Sequence, residues 1–162
     1  DGFISYPTAV YMVPLGVILP RNVENLLLPV PVSGSHIGFS TLRMEPCWMA
    51  LGQAAGIAAS LAIDRKVPVQ DVDISRLQDL LVDQKATLIY FRELRPEDPN
   101  FRLAQYMGLR GYLPEWNANL HGAIDEGTLQ EWSALCGFKP KAILGKTSRL
   151  EVLTMIYKRI RQ

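Results

Sequence analysis

Apolar residues change their rhythm several times along the chain. Residues 3–14 (FISYPTAVYMVP) are short apolar runs cut by Pro7 and Pro14, which predicts a strand or two with a turn. Residues 15–24 read as a loop with one tight turn. Residues 25–32 (NLLLPVPV) start as a buried strand, and Pro29 and Pro31 then forbid regular ladder bonding. Residues 33–41 (SGSHIGFST) are polar and contain glycine, so a loop is expected. A long helix is predicted over 46–63, with Pro46 at the first helical position, where its missing N–H is not needed. After an exit loop at 64–69, apolar residues at 74, 77, 80 and 81 predict an amphipathic helix over 74–85, capped by Asp73 or Ser75. Residues 87–91 form a short strand or extended piece.

Composition turns polar at 92–100 (RELRPEDPN), where a linker is expected. Three helices should follow. The first covers 101–110, with Phe101, Leu103, Ala104 and Met107 on one face and Gly108 or Gly111 ending it. The second covers 126–136. The third covers 147–160, with Leu150, Leu153, Ile156, Tyr157 and Ile160 on one stripe and a capping-box pattern at Ser148 and Glu151. The resulting fold class is α+β and mostly α: short strands and one long Ala/Gly-rich helix, then a small helical unit. The domain boundaries fall at 1–92 and 98–162.

The long helix is unusual for its small side chains. Gly52, Gly56 and Ser60 are spaced i, i+4, i+8 and form one smooth stripe. Each interior glycine costs about 1 kcal/mol against alanine. Such a stripe admits another backbone or a flat ligand, and close helix–strand packing accounts for it without any ligand. The uncharged run 47–63 is short for a membrane span and contains Gln53, so no span is assigned.

Charge sharpens the division. Residues 1–63 hold only five charged side chains (Asp1, Arg21, Glu24, Arg43 and Glu45), and the other 99 residues hold 28. A segment so poor in charge is expected to bury itself against a missing domain, a cofactor or a partner chain. The net charge of +1 favours no nucleic acid. Cys47 and Cys136 lie far apart, which gives neither a metal signature nor a disulfide framework. The chain begins Asp-Gly-Phe and is read as a piece of a longer protein, with any targeting signal elsewhere.

The entrance of the long helix carries the candidate chemistry. A helix starting at Pro46 leaves the N–H groups of Cys47, Trp48 and Met49 without intrahelical partners. Those donors and the macrodipole favour negative charge. Ser33, Ser35, His36, Ser40 and Arg43 lie just upstream. The site suits an anion, or a ring that becomes anionic during catalysis. The plainer alternative is a surface cap with Arg43 in solvent.

The stretch NVENLLLPVPVSGSHIGFSTLRMEPCWMALGQAAGIAASLA resembles the C-terminal signature of FAD-dependent oxidoreductases of the glutathione-reductase-like superfamily. The resemblance spans roughly residues 6–90. It rests on the order Asn25-Leu26-Leu27, His36, Arg43-Met44, Pro46 and Gly52-Gln53-Ala54-Ala55-Gly56, and the branch with this helix includes relatives called putative xanthan lyases. It implies that the segment ending in Asn-Leu-Leu leads to FAD and that the long helix aims its N-terminus at the pyrimidine edge of the flavin. The cofactor-binding residues it implies are Ser33, His36, Arg43, Met44, Pro46, Cys47 and Gly52, with Arg43 adding positive charge and His36 near the ring. No catalytic residue is assigned. Leu28-Pro29-Val30-Pro31-Val32 departs from the usual Gly-Arg or Gly-Asp pair. The Gly-x-Gly-x-x-Gly phosphate loop is missing, so this chain alone is not expected to hold FAD tightly and is expected to be inactive. The implied partner is an N-terminal FAD-binding domain of the same chain.

Residues 98–162 are similar, more loosely, to an S-layer-homology-type helical unit, which here reads as a packing appendage. The competing functions are a binding or structural module of a polysaccharide-processing, xanthan-lyase-like enzyme, and an oligomer contact through residues 1–63. The compartment would be periplasmic or secreted in a polysaccharide setting and cytoplasmic otherwise. His121 reads as a surface histidine. Cys136 reads as filler at a helix end. Asp125, Glu126 and Glu131 read as cap and solvated-face charges. Trp48, Trp116 and Trp132 read as core or partner-facing.

Overall fold

The computed structural model describes residues 9–161. The chain divides into two compact units between Ala86 and Thr87, so residues 87–92 fall in the second unit. Six α-helices form among the described residues: α1 (His36–Leu42), α2 (Glu45–Arg65), α3 (Ile74–Asp83), α4 (Phe101–Gly108), α5 (Glu126–Cys136) and α6 (Arg149–Ile160). Mostly α is therefore correct for the fold.

In the first unit, α2 is the spine. Leu51, Ala55, Ala58, Leu61 and Ala62 are its buried positions. It packs with the 3-10 turn Leu15–Ile18, with the short turn Val69–Asp71 and with α3. Ile18, Val32, Leu42, Leu51 and Ala55 make one core cluster, flanked by Cys47 and Trp48. Lys66 adopts the left-handed region (φ 55°) and ends α2, its N–H reaching the carbonyls of Ala62 and Ile63. The Asp73 carboxylate caps α3 by accepting the Arg76 N–H at 3.1 Å. Gln53 donates to Gln84 at 3.0 Å, pinning α2 to the end of α3.

Two sequence expectations are corrected here. Residues 33–41 are not a loop: Ser35 caps α1 by accepting the Gly38 N–H at 3.0 Å, and buried Leu42 anchors its far end. The polar look of the segment comes from a seven-residue helix that buries only one of its residues. The expected strands are also absent among the described residues, where a lone bridge joins Ala123 and Ser148. Residues 9–14 form no strand, and the rest of that expectation lies outside the described residues.

Residues 25–32 have no neighbouring strand among the described residues, and Pro29 and Pro31 cannot donate. They are held by isolated bonds, Leu28 N–H to the Ile18 carbonyl (2.9 Å) and Ser33 N–H to the Val17 carbonyl (2.7 Å). At 87–91 a side chain takes the ladder's place. Gln105 Oε1 accepts the N–H groups of Leu88 and Ile89, each at 2.8 Å, and Gln105 Nε2 donates to the Ile89 carbonyl at 2.7 Å.

The second unit is closed by its own core of Phe91, Met107, Tyr112, Leu113, Ile124, Trp132, Val152, Leu153 and Ile156. Phe91 belongs to this core, which is why the unit starts earlier than the polar run at 92–100 implies. Trp132 Nε1 donates to the Tyr112 carbonyl at 2.9 Å, so the largest buried ring satisfies its one donor. Burial holds the Tyr112 hydroxyl above its ordinary range. Ser148 and Glu151 form the capping box at the start of α6. Asp125 caps α5, and Gly137 (φ 73°) ends it in the left-handed region that glycine adopts without penalty.

Candidate functional site

Arg43 and Met44 make a two-residue elbow between α1 and α2, and the candidate residues are arranged about it. Arg43 is the C-cap of α1, its backbone N–H donating to the Phe39 carbonyl at 3.0 Å. Its guanidinium is exposed, with no side-chain partner among the described residues. Met44 is extended (ψ 133°) and is the N-cap of α2, without a side-chain cap bond.

That start, one residue earlier than Pro46, changes the donors at the helix end. The Met44 carbonyl accepts the N–H of both Cys47 (2.9 Å) and Trp48 (3.2 Å). These two amides are therefore not free, as the sequence implied. Pro46 has no N–H, and Glu45 places a carboxylate in the first turn. What remains for an anion is the macrodipole, the Arg43 charge and one side-chain donor: Trp48 Nε1, which is buried and has no hydrogen-bond partner.

His36 opens α1, and Arg43 stands seven residues later at its other end. That is about 10 Å along the axis at 1.5 Å per residue. The fold therefore spaces the imidazole and the guanidinium along α1 and does not cluster them. Ser33 lies ahead of the Ser35 cap, exposed, with its N–H on Val17. Cys47 is half-buried beside Trp48 in the first core cluster. Gly52 lies further along α2, where a Cβ would meet nothing within 4 Å, and the same holds at Gly56. Among the described residues, nothing approaches these two glycines of the smooth stripe.

Large exposed apolar side chains occur before α1, along it, at the elbow and along α2. Ile37 is 80% exposed, Met49 74% and Ile63 76%, and Tyr11, Met12, Phe39 and Met44 are also exposed. Tyr11 shares a hydrogen bond with Thr41 that ties the segment before the elbow to α1. Helix α2 is long and apolar enough to cross a membrane, although 28% of its most apolar window is buried inside the protein. That Trp48 Nε1 has no partner among the described residues was not legible from the residue order, because it depends on which face of the first turn meets the core.

The titratable groups with shifted behaviour lie in the second unit. Hydrogen bonds from Thr128, through its side chain first and then its backbone, hold the Asp125 carboxyl below its ordinary range. Backbone and side-chain bonds from Ser148 do the same for Glu151. Burial lowers Arg149, opposed by Asp125 and Glu131, and its guanidinium lies 5.0 Å from the centre of the Trp132 ring. These groups are structural caps and a stacked cation. His121 is exposed on a shallow cleft with Glu93, Asp98, Asn117 and Asn119. Among the described residues no group of three or more His, Cys, Asp or Glu could hold a metal ion.

A family model described as FAD dependent oxidoreductase matches residues 1–81. That match includes the elbow, all of α2 and most of α3. Comparison with curated proteins and with solved structures gave no match.

Proposed function

The chain belongs to the FAD dependent oxidoreductase family through residues 1–81, half of its length, and from that premise we propose that its first unit completes an FAD site whose remainder is supplied by further sequence of the same polypeptide. The observation that carries this reading is the open face of α2. Met49 and Ser60 are exposed on it and a Cβ at Gly52 or Gly56 would meet nothing within 4 Å among the described residues, while the buried positions Leu51, Ala55, Ala58, Leu61 and Ala62 lie on the other side of the helix. A lone surface helix has no reason to give up about 1 kcal/mol for each interior glycine. A helix that another backbone must approach closely does.

The residues present suit FAD. Arg43 offers an unpaired positive charge. Trp48 Nε1 is a buried donor in want of an acceptor. The N-terminus of α2 adds partial positive charge at the elbow. Arg43, Met44, Pro46 and Cys47 would hold the cofactor at the elbow. Ser33, ahead of α1, and His36, at its start, would contact it, and Gly52 would leave room beside α2. When bound, FAD supplies hydride and electron transfer. The protein's part is to stabilise negative charge at the elbow and to exclude water with its exposed apolar side chains. The second unit, with a closed core of its own, is proposed as an appendage and not as part of the site.

The test is the visible absorbance of the natural polypeptide that carries this sequence, purified as wild type, as Arg43→Ala and as Arg43→Lys. Flavin bands in the wild type, lost or shifted in Arg43→Ala and largely kept in Arg43→Lys, are expected. A colourless protein that also takes up no added FAD would overturn the reading.

A further inference from the structure

The two units differ in charge pattern, and within the second unit the charge is segregated. Residues 87–136 carry four cations and seven carboxylates, whereas residues 137–162 carry seven cations and one carboxylate. That carboxylate, Glu151, is engaged by the Ser148 N–H and hydroxyl in the capping box. The overall charge of +1 hides this local excess.

The cations frame a rigid turn. Ile143 N–H donates to Thr147 Oγ1 at 2.9 Å, and the N–H groups of Lys146 and Thr147 both return to the Ile143 carbonyl, at 3.0 and 2.9 Å. Gly145 sits in the left-handed region (φ 73°). The turn displays two adjacent aliphatic side chains, Ile143 (65% exposed) and Leu144 (47%). Lys139, Lys141 and Lys146 flank them, all exposed. The Arg159 guanidinium lies 4.2 Å from the centre of the Phe138 ring, which brings the last turn of α6, with Lys158, beside the same loop.

We propose that this lysine-flanked turn docks the second unit reversibly on an anionic lipid surface. Ile143 and Leu144 would enter the boundary between headgroups and acyl chains. The lysine stems would lie along the interface with their ammonium heads among the lipid phosphates. An acidic protein partner fits less well. It would need a pocket to anchor in, and the cleft beside the turn, lined by Lys139, Pro140, Lys141, Ala142, Ile143 and Thr147, is shallow and open. Adjacent exposed aliphatics flanked by exposed lysines suit a planar interface better than a second folded surface. This proposal is independent of the flavin reading.

The experiment is cosedimentation of the full chain with vesicles of phosphatidylglycerol in phosphatidylcholine and with phosphatidylcholine alone. Binding to the anionic vesicles only, weakened by high salt, is expected. Lys139→Gln/Lys141→Gln/Lys146→Gln should lower the partition coefficient by about a hundredfold, roughly fivefold for each lysine. Ile143→Ser/Leu144→Ser should also weaken binding, by more than tenfold, and leave the residue of it fully salt-labile. All five side chains are exposed, so each variant should keep the wild-type helical circular dichroism. No binding by the wild type, equal binding to neutral vesicles, or variants that bind like the wild type would each overturn the proposal. So would capture on immobilised polyglutamate without vesicle binding, which would assign the turn to an acidic protein.

Discussion

Asn25 and Gln70 clasp one another across 45 residues of chain. The Asn25 N–H donates to Gln70 Oε1 at 3.3 Å, and Asn25 Oδ1 accepts the Val69 N–H at 3.2 Å. Gln70 Nε2 completes the clasp on the Val23 carbonyl at 3.0 Å. The Asn-Leu-Leu segment is thereby tied to the turn after α2, and Asn25 holds a left-handed backbone (φ 57°) to reach it.

Removing the clasp should loosen the first unit. Asn25→Ala loses the acceptor for Val69 and the short amide side chain that lets asparagine tolerate the left-handed region, an expected loss of about 1–3 kcal/mol. Asn25→Gly keeps the backbone at ease and should lose about 1 kcal/mol. Hydrogen exchange of α2 and α3 amides separates the two, and equal protection in both variants and the wild type would discount the clasp.

Gln105 is a buried polar clamp of the second unit, 1% exposed and bonded three times to residues 88 and 89. Gln105→Leu has nearly the same volume but leaves two N–H groups and a carbonyl unpaired. A loss of about 2–4 kcal/mol is expected in urea unfolding followed by tryptophan fluorescence in a Trp48→Phe/Trp116→Phe background that leaves Trp132 as the reporter, well beyond a typical surface substitution.

Acid should destabilise the second unit through its caps. Asp125 and Glu151 have folded-state pKa values below their ordinary 3.8 and 4.5. A carboxylate lowered in the folded state contributes stability above its ordinary value, and that contribution is lost as pH falls through the lowered one. Thermal melts from pH 7 downward should therefore hold steady and then decline below about 4.5. In Asp125→Asn/Glu151→Gln the decline should flatten, and an unchanged pH profile in that variant would remove the caps from the account.

Much of the helical framework was legible because it is written locally. Asp73, Asp125 and Ser148 each precede an apolar stripe, and each caps the helix that follows. The missed helix, α1, has its cap at Ser35 but only Leu42 to bury, so its periodicity is too weak to see. The strands expected at 25–32 and 87–91 do not form because an apolar run pairs only where a neighbour is in register, and at 87–91 Gln105 supplies the bonds instead. At the elbow, the types and order of residues were legible in Arg43, Met44 and Pro46. The donors were not, because a one-residue shift in the helix start passes two amides to Met44.

The central claim, that the open face of α2 meets the rest of an FAD site, is tested most directly by one pair of substitutions in two settings. In the 162-residue chain, Gly52→Ala/Gly56→Ala adds two Cβ atoms that meet nothing within 4 Å. It should raise the melting temperature, since each replacement favours the helix by about 1 kcal/mol. In the natural polypeptide the same pair should crowd the partner surface and lower the bound flavin read from visible absorbance. Flavin content unchanged from wild type, together with the stabilised helix, would contradict the claim and leave α2 an open surface helix.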